Sequence, residues 1–159
     1  MIFHVSIAAD RPRDTAAVIA ELWGGTSLPF PPHPGSYMVF AGDDRNSAIE
    51  VYPRGTELFP AEGDADVEFR INPTAARHIP VHFAIATSLT REAVEAIGAR
   101  EGWIAKYRKR DDVFGVIELW VDNCLMIEVL TPEMQAEYAT LSIEGWREFV
   151  EASGMLEAA

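Results

Sequence analysis

Apolar and polar positions alternate in several short runs along the chain, and between two pairs of those runs the spacing changes from two to between three and four. Bulky Phe3, Val5 and Ile7 alternate with His4, Ser6 and Ala8, which predicts a strand over about residues 2 to 8. Val81, Phe83 and Ile85 alternate in the same way with His82, Ala84 and Ala86, which predicts another over about 80 to 86. Each run is followed by a helical stripe. Val18 and Leu22 mark a helix over about 12 to 23, with Pro12 in its first turn and Gly24 as its stop. Val94 and Ile97 mark a second over about 90 to 101, with Thr90 as its cap and Gly102 as its stop.

Two hairpins come next in the pattern. "YMVFA" and "SAIEVY" flank the turn-rich "GDDRN", and "FGVIELWV" and "CLMIEVL" flank "DN". "WIAKYRK" at 103 to 109 reads as one more strand. "TSLPFPPHPG" is so rich in proline that only a short strand fits there, with a long loop expected at 29 to 35. The acidic segment 54 to 79 reads as a connector in which "VEFRI" offers a short strand or a lid. The end of the chain, from Pro132, looks helical, with Trp146, Phe149 and Val150 on one face as a packing helix or dimer contact.

The two halves repeat. A shift of 78 residues lays "FHVSIAADRP" on "VHFAIATSLT" and "AIEVYP" on "MIEVLT", so that His4 falls on His82, Gly24 on Gly102 and Glu50 on Glu128. The chain holds only four histidines, so a match of both residue types at one shift is informative. Each copy reads as a βαβββ unit. The expected organisation is a first module at 1–58, a connector at 59–79, a second module at 80–132 and a C-terminal helical extension at 133–159. The expected fold class is α+β: two tandem βαβββ modules forming a curled mixed sheet, plus C-terminal helices.

Composition narrows the function. The chain has 159 residues, 48% hydrophobic and 24% charged, as in an ordinary globular protein with one well-buried core. Its net charge of −12 argues against nucleic acid or an anionic membrane as a partner, and "KYRKR" at 106 to 110 is followed at once by "DD". No apolar stretch approaches the length of a membrane span and the amino terminus does not read as a signal peptide, so a cytoplasmic protein is expected. The single cysteine, Cys124, reads as a small half-buried residue.

A carboxylate inside an apolar strand asks for a partner, because an unpaired buried charge costs several kcal/mol. Taken singly, Glu50 and Glu128 could be outward-facing residues of amphipathic strands, and His4 and His82 hydrogen-bonded core residues. Taken together at repeated positions, imidazole nitrogen and carboxylate oxygen form a ligand set suited to Zn, Ni, Co, Mn or Fe. The expected metal ligands are therefore His4, Glu50, His82 and Glu128. Ser6, Tyr52 and Met126 share their faces and are the expected substrate contacts.

Paired βαβββ units with a ligand on the first and last strand of each resemble the vicinal oxygen chelate superfamily. The His, Glu, His, Glu order over roughly residues 1 to 132 is most similar to glyoxalase I. "VDNCLMIEVLTP" resembles the superfamily ending "DPDGxxIEL", without its Asp-Pro-x-Gly turn. The resemblance implies a divalent-metal-dependent lyase or isomerase acting on a small substrate with vicinal oxygens, in which Glu128 or Glu50 moves a proton. No glutathione-binding motif is recognisable. The resemblance also admits an Fe(II) extradiol dioxygenase, against which the fourth ligand Glu50 counts. It further admits a metal-independent drug-sequestration protein of the bleomycin-resistance type, with Tyr37, Tyr52, Tyr107, Trp103 and Trp120 as groove candidates. A homodimer is expected, with the site formed within one chain or across two.

Overall fold

The computed structural model describes residues 2–110 and 112–154; residue 111, beside the basic cluster, and 155–159, in the expected C-terminal extension, lie outside the described residues. The first module runs β1 (His4–Ala9), α1 (Pro12–Trp23), β2 (Thr26–Pro29), β3 (Tyr37–Phe40) and β4 (Ala48–Pro53). A hairpin of β5 (Thr56–Phe59) and β6 (Glu68–Ile71) follows. The second module runs β7 (Phe83–Ala86), α2 (Arg91–Glu101), β8 (Ile104–Arg110), β9 (Phe114–Val121) and β10 (Leu125–Leu130), and the chain continues into α3 (Pro132–Tyr138) and α4 (Ile143–Ala152). The fold is α+β.

Both modules are wired alike. The first sheet has the order β1-β4-β3-β2 and the second β7-β10-β9-β8, so in each the first strand pairs in parallel with the last and the remaining pairs are antiparallel. These are two separate four-stranded mixed sheets, and no closed barrel forms among the described residues. The small β5–β6 sheet joins the end of the expected first module to the connector, and its second strand takes in "EFRI" of the "VEFRI" segment.

Local chemistry sets the element ends. Pro12 and Pro132 sit in first turns, where a missing N–H costs nothing. Thr90 accepts a hydrogen bond from the Ala93 N–H and caps α2. Gly24 and Gly102 end α1 and α2 in the left-handed conformation, at φ of 66° and 71°. The β9–β10 hairpin turns on Asp122 and Asn123, both at positive φ (51° and 55°), the geometry of a type I′ turn. Asp and Asn tolerate that conformation, which explains how the strands join without an Asp-Pro-x-Gly sequence.

The apolar stripes of α1 and α2 cover one face of each sheet. Ile19 and Leu22 of α1 join Ile7, Ile49 and Val51; Val94 and Ile97 of α2 join Ile85, Ile117, Leu119, Ile127 and Val129, and all belong to one core. Polar contacts reinforce the seam. The Thr87 hydroxyl donates to the Leu22 carbonyl (2.5 Å), Arg100 pairs with Glu21 (2.7 Å), and Arg54 bridges Asp10 and Asp122. Helix α3 packs on β9 and β10, whereas α4 has no buried residue. Among the described residues no helix is long and apolar enough to cross a membrane.

Candidate functional site

Because Ile49 and Val51 point into the core, Glu50 between them must point out of the other face. The β1–β4 register sets Ser6 opposite Glu50, His4 opposite Ala48 and Ala8 opposite Tyr52, so His4 and Glu50 lie diagonally on neighbouring strands of one face. The Ser6 hydroxyl donates to Oε2 of Glu50 at 2.6 Å, and the Tyr52 hydroxyl donates to the same oxygen at 3.1 Å. Tyr52 is 4% exposed. Its ring is enclosed by Phe30 and His33 of the proline-rich loop and Phe69 of β6, with centroids 5.3 to 6.0 Å away. Burial, then the nearby Glu50 charge and hydrogen bond, push the Tyr52 phenol up to about 12.

The second module repeats the placement with different company. Glu128 projects between core residues Ile127 and Val129, and its ladder partners are Ala84 on β7 and Glu118 on β9. His82 is exposed and stands one residue ahead of β7, on the line that leads to Met126 and diagonally to Glu128. Two carboxylates thus oppose each other on adjacent strands. One Nη2 of Arg110 joins them, 2.6 Å from Oε1 of Glu128 and 2.9 Å from Oε1 of Glu118, while Arg108 approaches Glu118 at 3.9 Å. The hydrogen bond to Glu128 is the largest influence holding the Arg110 guanidinium above its ordinary pKa, against the opposing effect of burial.

The first module therefore places His4 and Glu50 on one face, with Ser6 and Tyr52 bonded to Glu50, and in the second His82 directly precedes the strand that pairs with the one carrying Glu128. Met126 is half-buried beside the line of His82. The two pairs lie on different sheets. Among the described residues no group of three or more His, Cys, Asp or Glu side chains is gathered to hold a metal. The donor chemistry of each pair nonetheless fits a divalent ion. The His82 Nδ1 lies 3.2 Å from the Pro80 carbonyl; a proton placed there leaves Nε2 as the free donor, the usual arrangement for a metal-bound imidazole.

Three residues of this region were not singled out in the sequence. His33, 8% exposed and bonded through Nδ1 to the Ser36 hydroxyl at 2.8 Å, carries no pattern that distinguishes it within a loop. Arg110 belongs to a basic cluster whose exposed members mask it. Glu118 did give a signal, since "VIELW" embeds an acid in an apolar strand just as "MIEVL" does. Beyond this face, an open groove of about 820 Å³ runs between α4 and the β8–β9 turn, lined by Phe114, Leu141, Ile143, Trp146 and Phe149, with Arg110 at its edge.

No family model matches the sequence, and no curated protein does. Solved structures do resemble the fold. A lactoylglutathione lyase from Agrobacterium tumefaciens aligns over 81% of this chain and 91% of its own, at 12% identity and a TM-score of 0.50. The fosfomycin resistance protein FosX from Mesorhizobium loti aligns over 87% of this chain and 97% of its own, at 10% identity and a TM-score of 0.51. At such identities the likeness is one of architecture: the chain has the fold shared by glyoxalase and fosfomycin resistance proteins.

Proposed function

We propose that the protein is a divalent-metal-dependent lyase or isomerase of the glyoxalase type, acting on a small substrate with vicinal oxygens. The observation that carries this reading is the repeated register: in both modules the first strand pairs in parallel with the last, and His4 and His82, 78 residues apart, stand at or directly before the start of those first strands while Glu50 and Glu128 stand within the last ones. His4, Glu50, His82 and Glu128 would hold the ion, which supplies Lewis-acid stabilisation of negative charge developing on adjacent substrate oxygens. Since the two half-sites occupy different sheets of one chain, we further propose that a homodimer apposes the first module of one copy to the second module of the other.

The two carboxylates have distinct surroundings, and these divide the work between them. Glu50 is held by two neutral hydroxyls on a single oxygen, and its Oε1 has no hydrogen-bond donor among the described residues. That oxygen is open to a substrate proton, while Ser6 and Tyr52 fix the carboxylate plane. Glu128 has no hydroxyl pair among the described residues to fix its plane, since its hydrogen-bond partner is the Arg110 guanidinium. Glu50 is accordingly the proton-moving carboxylate and Glu128 the anchoring one.

The test is elemental analysis of protein purified without chelator, with metal titration of His4→Ala and Glu128→Ala. Near-stoichiometric metal in the wild type, lost in both variants, is expected. Metal-loaded protein is then screened on hemithioacetals and acyl thioesters, with Glu50→Gln expected to retain fold but lose turnover. One observation favours a second reading, metal-independent sequestration of an apolar molecule: the groove beneath Trp146 and Phe149. Undiminished ligand binding by metal-free protein, with no metal taken up on titration, would establish that reading and defeat the first.

A further inference from the structure

Opposed like charges on neighbouring strands destabilise a sheet unless a counter-charge joins them. Glu118 and Glu128 occupy directly opposed positions on β9 and β10, and their side chains are only 14% and 13% exposed. The register would offer Lys106 as the natural partner of Glu118, since it stands opposite on β8. The cation that serves both acids is instead Arg110, from the far end of β8, through one nitrogen at 2.6 and 2.9 Å. A single guanidinium nitrogen shared by two carboxylates lies where an ion bound to Glu128 would also draw its charge.

Among the described residues the first module has nothing comparable. Glu50 faces Met38 across β3 and, among the described residues, receives only the Ser6 and Tyr52 hydroxyls. The two half-sites are therefore unequal: one is held by neutral donors, the other is already filled by a cation belonging to the protein. Arg110 also has somewhere to go. Its side chain is 36% exposed and lines the edge of the apolar groove, and Glu118 can keep its charge paired after Glu128 is released.

We propose that Arg110 is an internal competitor for the metal, a guanidinium that neutralises Glu128 until a divalent ion displaces it. This rests on the metal-dependent reading given above. Displacement exchanges an intramolecular cation for an external one, so Arg110 lowers the metal affinity of the four-residue set and keeps the second half-site neutralised in the metal-free protein. Glu118 acts as the holding partner, retaining the displaced side chain beside the site.

Calorimetric titration of the full chain with Mn²⁺ at neutral pH tests the proposal, comparing wild type, Arg110→Met and the double variant Arg110→Met with Glu118→Gln. The double variant removes the opposed acids along with their bridge, and reports if the single variant does not fold. Either folded variant is expected to bind Mn²⁺ about tenfold or more tightly than wild type, the scale on which residues around metal ligands act. Affinity equal to or below wild type in the folded variants, with wild-type binding still lost in His4→Ala, overturns the role of Arg110 and leaves the metal reading standing. Absence of Mn²⁺ binding in wild type and both variants overturns the two together.

Discussion

The Tyr52 hydroxyl donates to Oε2 of Glu50, two residues away on the same face of β4, and this bond ties the titration of a buried phenol to a carboxylate proposed to move a proton. The phenol's folded value of about 12 lies above its ordinary 10.0. For an acid that is neutral below its pKa, such a rise stabilises the folded state fully below pH 10.0, and the contribution is lost as pH climbs through about 12. Ultraviolet titration should therefore find one tyrosine that resists ionisation, and Glu50→Gln should shift that transition downward. A resistant transition that persists unchanged in Glu50→Gln, or is present in Tyr52→Phe, would contradict the assignment.

Arg54 ties the modules together where the chain ends of two sheets meet. Its guanidinium bonds Asp10, and Nη2 lies 2.8 Å from Oδ2 of Asp122, whose side chain is 7% exposed. Arg54→Ala leaves that buried carboxylate with only the Asp10 backbone N–H, 2.6 Å from Oδ2, and no counter-charge, and should cost about 3 kcal/mol, read by chemical denaturation. Arg54→Lys should recover only part, because one ammonium cannot span both acids.

Acid sensitivity should report the same seam. The Arg77 hydrogen bond is the largest influence holding the Asp10 carboxyl below its ordinary value of 3.8, with Arg54 reinforcing it against the opposing effect of burial. A lowered folded value gives stability that is complete above pH 3.8 and disappears as pH falls through the lowered one. The stability gap between wild type and Asp10→Asn should thus be widest near neutrality and close on acidification. A gap that is independent of pH would show that Asp10 acts otherwise.

Gly25 permits a close approach. A Cβ there would lie 2.0 Å from the Phe40 carbonyl oxygen, at the start of the β2–β3 pairing. Gly25→Ala should destabilise by about 3 kcal/mol, the upper range for overpacking, because backbone and not a flexible side chain has to give way. Gly24→Ala removes a left-handed cap but meets no atom within 4 Å, and should cost less, about 1 kcal/mol.

Helix α4 should contribute little to the isolated chain. Trp146 and Phe149 are 64% and 51% exposed, so Trp146→Ala at low protein concentration should change unfolding free energy by less than about 0.5 kcal/mol. A larger effect that grows with protein concentration would reveal that this face is covered in a dimer.

Much of this architecture is legible in the residues. The period of two around His4 and His82, and the glycine stops after the helical stripes, correspond to strands and helices that the structure contains. The parallel closure of β1 on β4 is not written in either strand alone. It follows from burying Ile7 and Val51 under one helix, a tertiary requirement that local pattern does not encode. Ser6 and Tyr52 stand where alternation puts them, beside Glu50. Arg110 was hidden for a different reason: a long cationic side chain reaches along its strand, so the partner it meets is not the one its Cα faces.

The parallel pairing of first and last strands also orders events in time. The hairpins β3–β4 and β9–β10 are local and close quickly, but Ser6 and Glu50 are 44 residues apart and meet only when the whole module has folded. Each imidazole and carboxylate pair thus exists only in a finished module, and nascent or unravelled chain presents no paired donors. Pair formation is in that sense a folding checkpoint: if the proposed ion needs both pairs, it would engage only chains whose two halves are each complete.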